Sequence, residues 1–289
     1  MTTLVLAALA FVLAGPVPSV LARMPALRRT PRATMVLWQA VALAGVLAAL
    51  GAGLSLVTSQ LVGDRTARSY SLSAIPLCVT GLVLARLLLS GHRVGTSVRA
   101  VRRRHRQLVD LLADDRDGVH VLEHEAPTAY CLPGLRSRVV VSSATVSSLT
   151  ADELAAVLAH ERAHVRARHD LVLEAFTVLQ RAFPAVVTSR HALGEVTLLV
   201  EVLADRAAQR RHGARPLVSA FSALSLGGGV RTPEGAVAAA DVGLQARLEL
   251  LLDEGRHPVQ AVSVAAAAAA VLVLPTLLVV LPWLTGLAR

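Results

Sequence analysis

The sequence contains no lysine, so all 29 of its basic residues are arginines. It is also poor in charge and in aromatic side chains: charged residues make up 17% of the chain and aromatic residues 3%, against 54% hydrophobic residues. A water-soluble domain usually has about a quarter of its residues charged. This shortage of charge favours a membrane protein over an ordinary soluble one.

The chain has few cysteines and no arrangement of them that indicates a shared role. Cys78 lies in an apolar stretch and Cys131 in a predicted strand. A disulfide framework or a thiolate metal site needs several cysteines at regular spacing. We therefore expect both cysteines to be packing residues.

The net charge of +9 could indicate nucleic-acid binding. However, the arginines crowd the ends of apolar stretches, as expected when a membrane protein keeps positive charge on the cytoplasmic side. The densest cluster, Arg102 to Arg106, has no interleaved aromatic residues, which single-stranded nucleic-acid sites use for stacking. We expect a lipid bilayer as partner and no direct contact with nucleic acid.

Four apolar stretches are long enough to cross a bilayer, which requires about 20 residues. They cover about residues 2–22, 35–57, 72–89 and most of 258–289. The first could be a cleaved signal peptide, but no basic residue precedes it, because the first arginine is Arg23. An uncleaved first span is therefore predicted.

The arginine distribution predicts the orientation of these spans. Arginines are concentrated after the first span and after the third, so both of these regions are expected in the cytoplasm. The predicted domains are residues 1–91 with three spans, residues 92–257 as a cytoplasmic domain, and residues 258–289 with the fourth span. Both termini of this multi-pass cell-membrane protein are then extracytoplasmic.

Residues 92–257 show both strand and helix patterns. Val119–Leu122 and Ser137–Val141 are predicted strands. Thr150, followed by Glu153 three residues later, is typical of a capping box, and the apolar stripe after it predicts one long helix to about Arg181. A second helix is predicted from about Ala192 to His212, before Gly213. The predicted fold is mainly α, with an α+β domain between the third and fourth spans.

The first of these helices carries the sequence His160-Glu161-Arg162-Ala163-His164, an HExxH motif. Residues i and i+4 lie on one face of a helix, so both histidines can bind one metal ion. Zn²⁺ accepts such ligands and keeps an open coordination position in catalytic sites. Glu161, beside a ligand, is then placed to act as general base toward water. Two surface histidines in a helix with ion-paired Glu161 remain the alternative.

A catalytic zinc site needs a third protein ligand. The downstream candidates are His169, Glu174, His191, Glu195 and Glu201. Glu201 is preferred because apolar residues surround it, and a buried carboxylate needs a partner or a metal. Asp205, one turn later, is expected to support a histidine ligand. The alternative is that both acids pair with Arg206 or Arg210 on a solvated face.

His169 and Asp170 also form a pair that could serve catalysis. We expect them instead to orient the helix, with Asp170 binding an arginine or a backbone group.

The segments Leu154–Asp170 and Glu201–Asp205, together with Ala129–Gly134 and Arg138–Val141, strongly resemble the BlaR/MecR-type integral-membrane metallopeptidases. The resemblance implies a zincin-like domain of the gluzincin type between the third and fourth spans. It also implies zinc ligands His160, His164 and Glu201, a general base Glu161, and a supporting role for Asp205. The implied substrate is a cytoplasmic repressor of the BlaI/MecI type.

The resemblance has one departure. The antibiotic-sensing members carry an extracytoplasmic penicillin-binding domain after the fourth span, whereas this sequence ends at Arg289 and contains no Ser-x-x-Lys motif. We therefore expect the activating signal to come from a separate sensor partner or from the membrane.

Three functions remain open from the sequence. The first is a regulatory zinc metalloendopeptidase that cleaves a transcriptional repressor. The second is a quality-control protease of the HtpX type, although such chains usually have two spans before the motif and more after it. The third is a non-catalytic membrane scaffold with a structural zinc, which would usually have four protein ligands.

Overall fold

The computed structural model describes residues 2–63, 67–134, 137–183, 191–226, 237–238, 243–253 and 255–287. The elements in this part of the chain are α1 (Thr2–Ala14), α2 (Pro16–Leu21), a 3₁₀ turn (Pro25–Arg29), α3 (Pro31–Gly63), α4 (Ala67–Leu112), β1 (Ala113–Arg116), β2 (Val119–Leu122), β3 (Ala129–Leu132), β4 (Arg138–Ser142), α5 (Ser143–Ser148), α6 (Ala151–Ala167), α7 (His169–Ala182), α8 (His191–His212), α9 (Ala214–Leu226), β5 (Val237–Ala238), α10 (Leu244–Leu252) and α11 (Pro258–Leu287). The fold is mainly helical with one small sheet, as predicted.

The chain divides into two compact units. The apolar unit comprises Met1–His92, Phe176–Glu195 and His257–Arg289, and the HExxH unit comprises Arg93–Ala175 and Val196–Arg256. Residues 176–195, which lie inside the predicted cytoplasmic segment 92–257, thus group with the apolar helices. The division into residues 1–91, 92–257 and 258–289 therefore stays a prediction.

Four helices of the described chain are long and apolar enough to cross a membrane, judged by length and composition. They are Thr2–Leu21, Pro31–Val57, Ala74–Leu112 and Pro258–Val280. This agrees with the four predicted spans and is consistent with a multi-pass membrane protein. Helix α4 continues past the predicted apolar stretch through the arginine-rich residues up to Leu112.

Within the apolar unit, α3 packs against both α1 and α11. Ala40, Ala44 and Ala48 recur at every fourth position of α3 and are buried at these contacts. Small side chains on one face let neighbouring helices approach closely, the usual basis of helix packing in membranes. Other positions of α3 are exposed: Leu43 has 50% and Leu54 has 55% of its surface accessible.

The sheet of the HExxH unit has the strand order β1-β2-β4-β3-β5. β2 and β4 are parallel, and the other pairs are antiparallel. β2 has its predicted bounds, and β4 begins one residue later than predicted. β4 is central and Val139, Val140 and Val141 are buried in it, since α6 packs against β3 and β4. The sheet thus forms the support of the helix that carries the motif.

The prediction of one helix from Thr150 to about Arg181 is wrong. The predicted capping box is present, with the Glu153 carboxylate accepting from the Thr150 N–H at 2.8 Å, but α6 ends at Ala167. Arg168 has φ 52°, in the left-handed region, and α7 begins at His169. A left-handed residue ends a helix because it turns the chain out of the helical path. The apolar stripe continues through Leu171 without glycine or proline, so the sequence pattern hides this break.

The second predicted helix is present as α8, which begins at His191 and ends at His212. Gly213 follows with φ 80°, the left-handed conformation that glycine adopts without steric cost. This glycine stop was correctly predicted.

Candidate active site

Helix α6 presents the HExxH side chains to the interior of the HExxH unit. His160, Glu161 and His164 have only 1%, 0% and 2% of their surface exposed. The two histidines lie one helical turn apart, and their Nε2 atoms are 3.0 Å from each other. Surface histidines around a solvated glutamate, the alternative from the sequence, do not describe this arrangement.

Helix α8 brings Glu201 to the same point. Its Oε2 atom is 3.4 Å from His160 Nε2, and its Oε1 atom is 3.5 Å from His164 Nε2. Potential ligand atoms of these three residues all lie within 4.8 Å of one another. The structure therefore brings together the three residues predicted as zinc ligands.

The other candidates for the third ligand do not belong to the group formed by His160, His164 and Glu201. Glu195 belongs to the apolar unit, where it receives two hydrogen bonds from Arg28, at 3.0 and 2.5 Å. His169, Glu174 and His191 also lie outside the ligand group. Only Glu201 of the five candidates faces both motif histidines among the described residues.

The carboxylates fit a metal ion. Within the part of the chain that the structure describes, both oxygens of Glu161 and both oxygens of Glu201 are buried without a hydrogen-bond partner. An ionised carboxylate in such a place is costly unless a positive charge or a metal compensates it. Two imidazole nitrogens and one carboxylate are the ligand set of many catalytic zinc sites. His160, His164 and Glu201 would hold the ion.

Asp205 takes its predicted position beside His160. Its Oδ1 atom is 2.9 Å from Nδ1 of His160, the nitrogen that faces away from Glu201. Burial alone would raise the pKa of Asp205, but hydrogen bonds from Arg247 and His160 hold that pKa below its usual value. Asp205 therefore stays ionised and can fix the His160 ring, as carboxylates do beside zinc-bound histidines.

Arg247 of α10 completes this part of the site and was not predicted. It is fully buried and donates two hydrogen bonds to Asp205, at 2.7 and 2.6 Å. Its Nη1 atom lies 3.3 Å from Glu201 Oε2, and its guanidinium carbon lies 4.5 Å from the centre of the Phe221 ring. Asp205 thus pairs with Arg247, and the alternative of a solvated pair with Arg206 or Arg210 does not describe it.

Asp170 and His169 are also buried, and each contacts another side chain. Asp170 accepts a hydrogen bond from Arg102 at 3.0 Å, as predicted for an acid that orients its helix. Nδ1 of His169 lies 3.1 Å from Nδ1 of His164. No sequence pattern indicates this second contact, because it depends on the break at Arg168.

The two motif histidines differ in their affinity for protons. Burial opposes protonation of His160, but Asp205 and Glu201 outweigh it and raise the pKa of His160 to about 10. Burial and the charge of His160 hold the pKa of His164 well below its usual value. Metal ligands must be neutral imidazoles, so metal binding would release the His160 proton.

Burial also shifts the pKa of Glu161, the predicted general base. Burial raises its pKa to about 7, although the charge of His160 opposes the shift. A base is most effective when its pKa lies near the working pH. Cys131 of β3 is buried beside it, and burial raises the pKa of that thiol, which agrees with a packing role.

Comparison with known proteins gives one match. Residues 97–221 match the model of Peptidase family M48. No curated protein and no solved structure matches the chain. The matched segment contains the HExxH motif, Glu201 and Asp205, and it ends before Arg247.

Members of the matched family are metallopeptidases, typically with zinc. The match supports a metallopeptidase family and indicates a hydrolase that acts on peptide bonds. The BlaR/MecR-type resemblance stays a prediction. With its four apolar helices, the chain has the features of a membrane metalloprotease.

Proposed function

We propose that the protein is an integral-membrane zinc metalloendopeptidase that hydrolyses peptide bonds of a cytoplasmic protein. The observation that carries the proposal is the convergence of His160 Nε2, His164 Nε2 and the Glu201 carboxylate, with the buried Glu161 carboxylate next to them in sequence. This arrangement supplies three ligands and one base, the composition of a catalytic zinc site.

The chain's own residues divide the work of peptide hydrolysis. Bound zinc would polarise the scissile carbonyl and lower the pKa of water toward about 7. Glu161 accepts a proton from the attacking water and passes it to the departing amine. Asp205 orients the His160 ring, and Arg247 holds Asp205 in its ionised form.

Two features favour catalysis over a scaffold with structural zinc. The ligand group found in the described residues has three members, whereas structural zinc sites usually have four. The Glu161 carboxylate is fully buried next to the ligand His160 in sequence, where catalysis has a use for it and a structural zinc site does not. In a non-catalytic scaffold, the free-energy cost of burying this carboxylate would serve no function.

The substrate we propose is a transcriptional repressor in the cytoplasm, so that cleavage transmits a signal from the membrane or from a separate sensor. The order of the apolar helices supports this proposal, because three of them precede α6 and one follows it. The arginine distribution supports a cytoplasmic site. Degradation of damaged membrane proteins is the competing activity.

The test of catalysis uses the full-length protein in detergent with an unfolded protein such as casein as substrate. Glu161→Gln keeps the side-chain shape but cannot accept the proton, so we expect a rate loss of about 10² to 10⁴ with unchanged zinc content. The matched control is Glu123→Gln, which removes an exposed carboxylate that accepts from Ser143. Equal rates for wild type and Glu161→Gln at equal zinc content would contradict the proposal and favour the scaffold.

The substrate is tested in cells that express either wild type or Glu161→Gln. Quantitative immunoblots follow the turnover of cytoplasmic repressors and of a misfolded membrane protein. Repressor loss only with wild type supports the regulatory role. Loss of the membrane protein alone favours quality control.

A further inference from the structure

The junction between α6 and α7 places His169 against a motif histidine. On a continuous helix, a residue five positions later is rotated by about 140°, so His169 would lie off the face of His164. Arg168, with φ 52°, turns the chain and starts a new helix at His169. The ion pair of Arg102 with Asp170, at 3.0 Å, holds the start of that helix.

The contact between the two rings has a defined geometry. The Nδ1 atoms are 3.1 Å apart, the ring centres are 5.0 Å apart, and the rings are nearly perpendicular. His169 is 6% exposed and His164 is 2% exposed. Because His164 Nε2 faces Glu201 and His160, its Nδ1 atom is the nitrogen that remains for an outer partner.

We propose that His169 is a positioning residue that fixes the ring of His164 for metal binding. A neutral histidine that binds metal through Nε2 carries its hydrogen on Nδ1. His164 therefore donates to Nδ1 of His169, whose own hydrogen is on Nε2. The two ligand histidines thus have different outer partners: the Asp205 carboxylate supports His160, and a neutral imidazole supports His164.

The contact between His169 and His164 depends on the left-handed conformation of Arg168. For an L-residue this conformation is less stable than the right-handed helix, because the Cβ atom approaches the following carbonyl oxygen. Arg168 is the residue that lets an i+5 side chain return to the ligand face. The inference rests on the proposed function, since it takes His164 as a metal ligand.

The experiment measures Zn²⁺ affinity of the full-length protein in detergent by competition with a chromophoric chelator. His169→Asn places a polar atom where Nδ1 was, His169→Gln places one where Nε2 was, and His169→Leu places none. Loss of an outer partner typically lowers metal affinity about 10- to 100-fold. We expect this loss of Zn²⁺ affinity in His169→Leu and His169→Gln, and an affinity close to that of wild type in His169→Asn.

Two controls separate positioning from packing. His105→Leu removes a half-buried histidine that hydrogen-bonds Tyr130 and should leave the affinity unchanged. Arg168→Gly keeps the left-handed turn and should also retain it, whereas Arg168→Val opposes the turn and should lower it.

The outcomes are decisive. Equal losses of Zn²⁺ affinity in all three His169 variants would show that His169 only fills space. Unchanged affinity in His169→Leu would show that His169 has no role in metal binding. Either result overturns the inference. If Leu fails to fold, the Asn and Gln pair decides. Wild type without zinc would instead contradict the proposed function, so the two failures are distinguishable.

Discussion

The apolar unit has exposed apolar side chains along its candidate spans, and the HExxH unit has a cluster of buried charges. In the apolar unit, Leu4 is 76% exposed and Phe11 64% exposed. In the HExxH unit, Glu201, Asp205 and Arg247 are at most 1% exposed. Exposed apolar surface on this scale is stable in lipid, and buried charge is stable only when it is paired or bound to metal. Lipid would accommodate the exposed apolar side chains, and the pairing with Arg247 together with a bound ion would accommodate the buried carboxylates.

The largest expected effect concerns the buried charges. Arg247→Ala leaves Asp205 buried without its main partner, which typically costs about 3–5 kcal/mol of unfolding free energy. The matched control is Arg138→Ala, which removes a more exposed arginine that makes two hydrogen bonds to Asp110 and should cost less than about 1 kcal/mol. Denaturant unfolding in detergent, followed by near-ultraviolet circular dichroism, measures both. Equal losses would mean that burial of the Arg247 pair has no energetic consequence.

The next effect concerns the exposed apolar side chains. Leu43, near the middle of the second candidate span, is 50% exposed. If it faces lipid, Leu43→Arg should raise the free energy of membrane insertion by about 2.5–3.5 kcal/mol. A glycosylation-based insertion assay in microsomes measures the inserted fraction of the chain.

The control for that substitution comes from the other unit. Leu252 is 69% exposed on α10, and Leu252→Arg should leave the inserted fraction unchanged. Unchanged insertion for Leu43→Arg as well would contradict a lipid-facing helix.

The smallest effect is a dependence of stability on pH in chelator-treated protein. The pKa of Glu161 is raised from 4.5 to about 7 in the folded state by burial. The folded state therefore holds a proton that the unfolded state has lost, and stability falls as pH rises from 4.5 to 7. Glu161→Gln removes this contribution, which is at most about 3 kcal/mol. The Tm of Glu161→Gln minus that of wild type should rise between pH 5 and pH 8; a constant difference would show that Glu161 keeps an ordinary pKa.

The site residues that the structure brings together as the sequence predicts are those whose positions follow from helix periodicity. The i, i+4 spacing places His160 and His164 together, and the same spacing places Asp205 one turn beyond Glu201. The choice of Glu201 depended on its apolar neighbours, which indicated burial. The four apolar helices were predictable for a similar reason, because length and hydropathy are local properties of the chain.

Arg247 and His169 could not be predicted in this way. Arg247 is 42 residues from its partner Asp205, and nothing in the spacing indicates that α10 packs against α8 at that point. The contact of His169 depends on one backbone angle at Arg168, where the sequence shows neither glycine nor proline. Both contacts come from tertiary packing, which a single sequence does not reveal.

The metal content of the purified full-length protein tests the central claim most directly. We expect one zinc ion per chain in wild type and in Glu195→Ala, because Glu195 pairs with Arg28 in the apolar unit. Glu201→Ala removes a ligand, so its zinc affinity should fall more than the roughly 100-fold that outer partners can cost. Full zinc retention in Glu201→Ala, or zinc loss in Glu195→Ala, would contradict the account of the site.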